Sequence, residues 1–522
     1  MRRAVRLFAI LSGLLLLTTL ATGATPSDPL PSILASLNGD EMKAWDMHIA
    51  GPDFKGRMTG EPELYQASAF VQDHWKQWGV QPVNEAGYQQ EFPFTSSRTT
   101  GACTFTSLAF DGSEKTWEEV EDYQPFPYGG NQVVEGGVMF AGYGVSAPEL
   151  GYDDYAGIDV TGKIVFIMRH VPGEDMKKYG DHATFTHKAQ TAKDHGAIGM
   201  ILITDLNHHS DFTPLDFPSA NINVGPNFAA VFMHAKRACE WLEPQLGQPL
   251  AAIEAAIDDT GKPMSFPLMV RARLQVPTAY QPDKPSVNTV GWIQGSDPQL
   301  AKEIVVIGAH LDHIGYRGDR IYPGADDDGS GSVALLGVAQ AFANAPVRPK
   351  RSIMFTHFSG EELGLLGSYY FVANQMLPPG THIVAMLNMD MVGLGDGGVT
   401  TLTPPMAPCR KLTGLVEVQR KKYLADQLPL DHTHYGDAEP NSDEWPFADA
   451  NIPALFFVSS GEHPDYHQIG DTPDKIVPEC LAHSARLCLA VAWRIAEQGV
   501  PRRPLPVPVE PHQPSAGLAD DR

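Results

Sequence analysis

Apolar residues recur along this chain with two different periods, and the change of period divides it. In "ELYQASAFVQDHWKQW" (63–78), Leu64, Ala67, Val71, Trp75 and Trp78 fall at three-to-four spacing. That spacing predicts one face of an amphipathic helix, which Gly79 stops. From about 100 to 275 the pattern shifts to short β-like runs between Gly/Pro turns: "CTFTSLAF", "GGVMFAGYG", "GKIVFIMRH" and "AIGMILIT", with a helical piece near 187–195. The proline-bearing stretch "QVPTAYQPDKPSV" (275–287) reads as a connection between domains. Beyond it, strand and helix alternate. "EIVVIGAH", "RSIMFTHFSG", "HIVAMLNMDMVG" and "PALFFVSSG" have the continuous apolar runs of buried strands. Between and after them "SGSVALLGVAQAFANA", residues 362–376 and "PECLAHSARLCLAVAWRIAEQ" read as helices. This order predicts an α/β fold, a mixed and largely parallel sheet sandwiched by helices.

The two ends lie outside that pattern. Arg2, Arg3 and Arg6 precede an apolar run from Leu7 to Leu20, with small residues through Ala24. Residues 1–24 are thus expected to be a secretory signal peptide, with an uncleaved membrane anchor as the alternative. A secreted or periplasmic location follows, and no other segment is apolar enough to span a membrane. The tail "PRRPLPVPVEPHQPSAGLADDR" (501–522) is proline-dense and expected to be disordered. A length of 522 residues implies two or three domains, and 43% hydrophobic content fits a globular chain. The net charge of −24 argues against nucleic-acid binding, because such a chain repels phosphate backbones. Cys103, Cys239, Cys409, Cys480 and Cys488 are scattered with no CxxC pair, which argues against a thiolate zinc site. Export would permit one or two disulfides, without assigning them.

Charge becomes informative where it sits. Four consecutive strand ends carry metal-type donors: "AHLDH" (309–313) followed by "GADDDGSG", "FSGEELG" (358–364), "NMD" (388–390) and "HPDYHQIGDTPD" (463–474). Each alone reads as a helix cap, an acidic first turn or a surface loop. Open α/β sheets, however, place their sites at the carboxyl ends of strands. Gathering that many acids there without a cation would be costly. His, Asp and Glu suit zinc, whereas calcium takes oxygen alone. The adjacent Glu361–Glu362 pair allows one carboxylate to hold a metal while its neighbour activates water. No HExxH helix and no G-x-S-x-G elbow is present.

As an ordered set, "GAHLDHIG", "GADDDGSGS", "SGEELGLLGS", "LNMDMVG" and "DYHQIGDTPD" resemble the zinc exopeptidases with two co-catalytic metals. That family holds secreted bacterial leucine aminopeptidases, plasma glutamate carboxypeptidase and the inactive transferrin receptor. "HIAGPDFKGRMTGEPELYQASAFVQDHWKQWGV" (48–80) resembles the amino-terminal segment of such enzymes. "MFAGYGVSAPELGYDDYAGIDVTGKIVFIMRH" (139–170) is similar to their inserted, β-rich protease-associated (PA) domain. The resemblance implies a peptidase domain in two parts, 25–99 and 276–500, around an insert at 100–275. It also implies two Zn²⁺ ions and peptide substrates. Carried over, His310 and Asp390 bind one zinc, Glu362 and His467 the other, and Asp327 bridges both. Asp312 orients His310, Glu361 is the general base, and Tyr466 stabilises an oxyanion. His313, Asp319, Asp326 and Asp328 take lesser roles. "NSDEWPF" (441–447) is similar to a substrate-side "SDHxxF" stretch, with Glu444 where histidine is common. Aminopeptidase activity is the leading expectation. A carboxypeptidase or dipeptidase, or a metal-free receptor-like binding protein, are the alternatives.

Overall fold

The computed structural model describes residues 28–504 apart from Ala86, 210–213, 426, 427, 429, 437 and 439. The expected signal peptide (1–24) and most of the proline-rich tail lie outside the described residues. Two sheets organise the chain. The larger carries, in spatial order, Gln89–Thr99, Thr278–Ile293, Ser352–Phe358, Glu303–His310, His382–Met389, Ala454–Ser459, Val399–Thr403 and Leu430–Tyr435. Its four central strands, from Ser352–Phe358 to Ala454–Ser459, are mutually parallel, and antiparallel pairs flank them. Ile304, Val305, Val306 and Ile307 are fully buried, as expected of a strand covered by helices on both faces.

The covering helices follow the 3.6-residue period. Pro62–Trp78 buries Leu64, Ala67, Val71 and Trp75, and the Trp75 ring lies against Tyr88, Phe355 and His357. Gly79, in the left-handed region at φ 79°, ends this helix, a conformation that costs glycine little. Pro478–Gln498 closes the sheet with Leu481, Leu489, Val491 and Ile495 fully buried, each contributing about 2 kcal/mol of apolar burial.

The second sheet has eight strands in the order Glu114–Trp117, Thr104–Leu108, Ser265–Gln275, Val134–Ala141, Ile164–Met168, Gly199–Ile203, Ala229–Met233, Tyr123–Phe126. Thr99 and Thr278 are paired neighbours in the large sheet, and between them the chain returns to that sheet only as the short edge strand Ser219–Ala220, which pairs with Arg98 and Ser97. The small sheet therefore interrupts the large one as an insert. Arg317, from the segment between strands Glu303–His310 and Ser352–Phe358 of the large sheet, ties the two together. Its guanidinium donates to Asp216 (3.0 Å) and Gln124 (2.7 Å) and also meets Glu119.

Two expectations need revision. The stretch 275–287 is not a bare connection, because Thr278–Ile293 is one long strand. Its prolines are tolerated because the early half pairs on one side only, with a register shift between Gln281 and Lys284. The expected helix at 362–376 forms only over Leu366–Ala373, since Gly364 (φ 97°) and Leu365 (φ 59°) turn the backbone before it starts. The cysteines form no disulfide, and Cys103, Cys409, Cys480 and Cys488 are buried as free thiols. Among the described residues no helix is long and apolar enough to cross a membrane.

Candidate metal centre

Parallel pairing puts the carboxyl ends of the central strands at one edge: His310 is level with Phe358, and Gly308 with Asn388. His310, the Glu361–Glu362 turn and Asp390 consequently emerge together, with His467 arriving from the loop beyond Ser459. Asp327 occupies the middle. Its Oδ1 lies 3.2 Å from His310 Nε2, and its Oδ2 lies 3.1 Å from His467 Nε2. On the first side, Asp390 Oδ1 is 3.5 Å and Glu361 Oε2 3.7 Å from His310 Nε2. On the second, Glu362 Oε2 is 2.9 Å from His467 Nε2. Every one of these side chains is nearly or wholly removed from solvent.

This donor set fits metal ions. His310 Nδ1 is 3.0 Å from the main-chain oxygen of Asp312, which makes Nδ1 the protonated nitrogen and turns the Nε2 lone pair inward. His310 Nε2 with Asp390 Oδ1, and His467 Nε2 with Glu362 Oε2, are buried at 3.5 and 2.9 Å without an aligned hydrogen bond. Converging lone pairs of that kind call for a cation between them. The field agrees. Burial opposes a charged His467, yet Glu362 and Asp327 push its imidazole up to about 10. Burial pushes the carboxyl of Asp443 up to about 7 and that of Glu444 up to about 8, and Asp390 adds to both. The fold therefore collects more negative charge here than its histidines neutralise.

Residues 288–492 match the family model for peptidase family M28, and residues 132–233 match that for the PA domain. The chain is therefore similar to peptidase family M28 over residues 288–492, with a PA-like segment at 132–233 ahead of that region. The chain is also 29% identical over 252 residues to leucine aminopeptidase 2 of Trichophyton rubrum, across 42% of this chain and 46% of that protein. It is 32% identical over 177 residues to leupeptin-inactivating enzyme 1 of Streptomyces exfoliatus, across 34% and 36%. The chain thus spans about half the length, or less, of these curated relatives. In fold it is similar to an aminopeptidase from Aneurinibacillus sp. strain AM-1 (TM-score 0.64, 22% identity, covering 92% of this chain and 98% of that one). It is likewise similar to a zinc aminopeptidase from Bacillus subtilis (TM-score 0.61, 20% identity, 88% and 96%).

Within the region similar to M28 peptidases the structure brings together His310, Asp327, Glu361, Glu362, Asp390 and His467. The half-buried Tyr466 stacks on His467 with ring centroids 3.9 Å apart. Asp312 differs from expectation in the atom it uses. Its carboxylate stands 3.8 Å from His310 Nδ1, beyond hydrogen-bond range, and is held by Thr59 Oγ1 (2.6 Å) and the Glu361 N–H (3.4 Å). Its main-chain carbonyl does the orienting.

Several residues do more than the sequence led us to expect. His313 Nδ1 lies 2.6 Å from Glu362 Oε1, which makes it a direct member of the second donor group. Asp328 accepts the N–H groups of His310, Gly331 and Met391 and pins the ligand loop to two strand ends. Asp471 accepts those of Asp326 and Asp327. The buried Arg57 donates to the carbonyls of Ile49, Leu311, Pro323 and Gly324, closing the loop between His310 and Asp327. Asp471 sits inside the "GDTPD" string that flagged His467. Arg57 and Thr59 lie in the quoted 48–80 stretch, but nothing local marked them as partners of Leu311 and Asp312, over 250 positions away.

A cavity of about 190 Å³ opens beside Glu362 and His467. Tyr128, Phe185 and Phe217 of the insert line it together with Ile314 and Leu363.

Proposed function

We propose that this protein is a secreted zinc aminopeptidase that removes apolar residues from the amino terminus of peptides. One observation carries the reading: the two oxygens of Asp327 each face a separate histidine–carboxylate pair, as a carboxylate shared by two metal ions must. On this reading His310 and Asp390 hold one zinc, Glu362 and His467 the other, and Asp327 both. The peptidase domain comprises 25–99 and 276–500, and the insert 100–275. Two zinc ions, when bound, would lower the pKa of water and polarise the scissile carbonyl.

The chain's own groups supply the rest. Glu361 lies against the first donor group, its Oε2 3.7 Å from His310 Nε2, and on this reading it accepts the proton of the attacking water and returns it to the leaving amine. Tyr466, fixed by stacking on His467, donates its hydroxyl to the developing oxyanion. The acidic surroundings suit a free α-ammonium group, and the wall of Tyr128, Phe185 and Phe217 suits an apolar terminal side chain. The leucine aminopeptidase name carried by the fungal relative points the same way. A receptor-like binding role is disfavoured because all five ligands stand beside the base.

The test is hydrolysis of free and N-acetylated leucyl peptides, with and without a chelator. Cleavage of the free peptide alone, abolished by chelation and restored by zinc, is the expected result. Preferred cleavage of the acetylated peptide from its carboxyl end would move the reading to a carboxypeptidase.

A further inference from the structure

The insert gathers a second group of histidines and carboxylates, built from other strands than the M28 centre. Ile164–Met168 and Gly199–Ile203 are parallel, with Met168 level with Ile203, so their carboxyl ends open at the same edge. The first strand runs on into His170 and the turn bearing Glu174, and the second runs on into Asp205, His208 and His209. Asp205 is buried and receives one imidazole on each oxygen. His170 Nδ1 stands 2.9 Å from Oδ1, and His209 Nδ1 stands 2.9 Å from Oδ2. Glu174 closes the group, with Oε1 3.5 Å from the same nitrogen of His209. One donor atom from each of these four side chains lies within 4.8 Å of all the others.

We propose that His170, Glu174, Asp205 and His209 bind a divalent transition-metal ion of the zinc class, separate from the M28 centre. Two imidazole nitrogens and two carboxylate oxygens form a donor set such ions take readily. A tetrahedral ion with bonds of about 2.0–2.1 Å holds its donors roughly 3.3 Å apart. The separations of 2.9 and 3.5 Å lie on either side of that value and the remaining donor pairs lie within 4.8 Å, so side-chain rotation brings the quartet onto an ion. Burial opposes ionisation of Asp205, but its hydrogen bonds with His170 and His209 outweigh it and hold the carboxyl well below the usual range.

The quartet is also braced from behind, as metal ligands commonly are. Helix Leu250–Thr260 supplies both braces. Glu254 accepts the N–H groups of Leu206 (2.6 Å) and Asn207 (3.2 Å), which shapes the turn carrying His209. Asp258 accepts the Gly173 N–H (2.9 Å), which shapes the turn carrying Glu174. His208 spans the two turns, 3.3 Å from Glu174 and 3.3 Å from Asp258. An ion here cross-links the two turns and stabilises the insert. It has no part in peptide cleavage, and the inference stands apart from the peptidase reading.

The experiment compares the purified full chain with a His170→Ala/His209→Ala double variant by elemental analysis and circular dichroism. The double variant is expected to fold, to carry one metal equivalent less than the wild type, and to hydrolyse peptides at the wild-type rate per chain. A folded double variant with the full metal complement overturns the site. A milder variant guards against misfolding. His209→Asn places an amide N–H near the position of Nδ1, keeping a donor for Asp205 while removing the imidazole ligand. It is expected to lose the same equivalent on dilution into a weak chelator, and retention equal to the wild type also overturns the site. Should the protein show no peptidase activity at all, the loss of one equivalent in the variants would still be read.

Discussion

Glu361→Gln separates proton transfer from metal binding. The amide preserves side-chain volume and leaves untouched the main-chain N–H that Glu361 donates to Asp312 Oδ1. His310 keeps its nearer carboxylate, since Asp327 approaches at 3.2 Å against 3.7 Å for Glu361. What disappears is the oxygen able to accept a proton. Loss of a positioned general base lowers rates by about 10²–10⁴. At 1.36 kcal/mol per tenfold, that is about 2.7–5.4 kcal/mol on the barrier. We expect kcat on a leucyl anilide to fall within that range, with KM and metal content unchanged. Glu362→Gln provides the contrast. That carboxylate touches His313 at 2.6 Å and His467 at 2.9 Å, so an amide must turn its NH₂ towards one of two imidazoles. This variant is expected to lose metal and activity together. A Glu361→Gln enzyme with kcat within tenfold of wild type, or one as metal-depleted as Glu362→Gln, would refute the assignment of the base.

Phe217→Ala removes part of the insert's wall from the cavity beside Glu362, and one hydrophobic contact there is worth about 1–3 kcal/mol. The ratio of kcat/KM for phenylalanyl over leucyl substrates should rise about tenfold, and an unchanged ratio would place the terminal side chain elsewhere. Gly331→Ala would bring a Cβ within 2.2 Å of the Met389 oxygen and 2.3 Å of Asp328 Oδ1. Overpacking of this kind costs about 1–3 kcal/mol, so a lower melting temperature and weakened metal retention are expected, and a variant with both at wild-type values would refute the clash. Burial holds the imidazole of His357 down at about 4, against 6.5 ordinarily, so the folded protein keeps it neutral while the unfolded chain takes up the proton first. Stability from this group is complete above pH 6.5 and is lost as pH falls towards 4, to the extent of about 3 kcal/mol. Urea midpoints should drop over that window more in the wild type than in His357→Gln, and equal drops would refute the neutral state.

The ligand-bearing strand "EIVVIGAH" was legible because a continuous apolar run ending in polar residues marks a buried strand reaching a site. That His310, Glu361, Glu362 and Asp390 emerge together was legible for the same reason, each lying at or just beyond such an end, and His467 follows in the loop after Ala454–Ser459. Helices Pro62–Trp78 and Pro478–Gln498 followed from period and punctuation alone. All of these are local signals, written in neighbouring residues. The strand hidden in 275–287 was not legible, because its prolines speak for a break. Only its partner strand, nearly 200 positions earlier, makes one-sided pairing sufficient. Nor was it legible that the carbonyl of Asp312 orients His310, that Arg57 closes the ligand loop, or that His170 and His209 converge on Asp205. Those depend on which strand ends lie side by side and on how deeply charge is buried. Composition and periodicity state what each segment prefers to bury. Long-range pairing decides which buried charges meet, and a metal site needs that second kind of information.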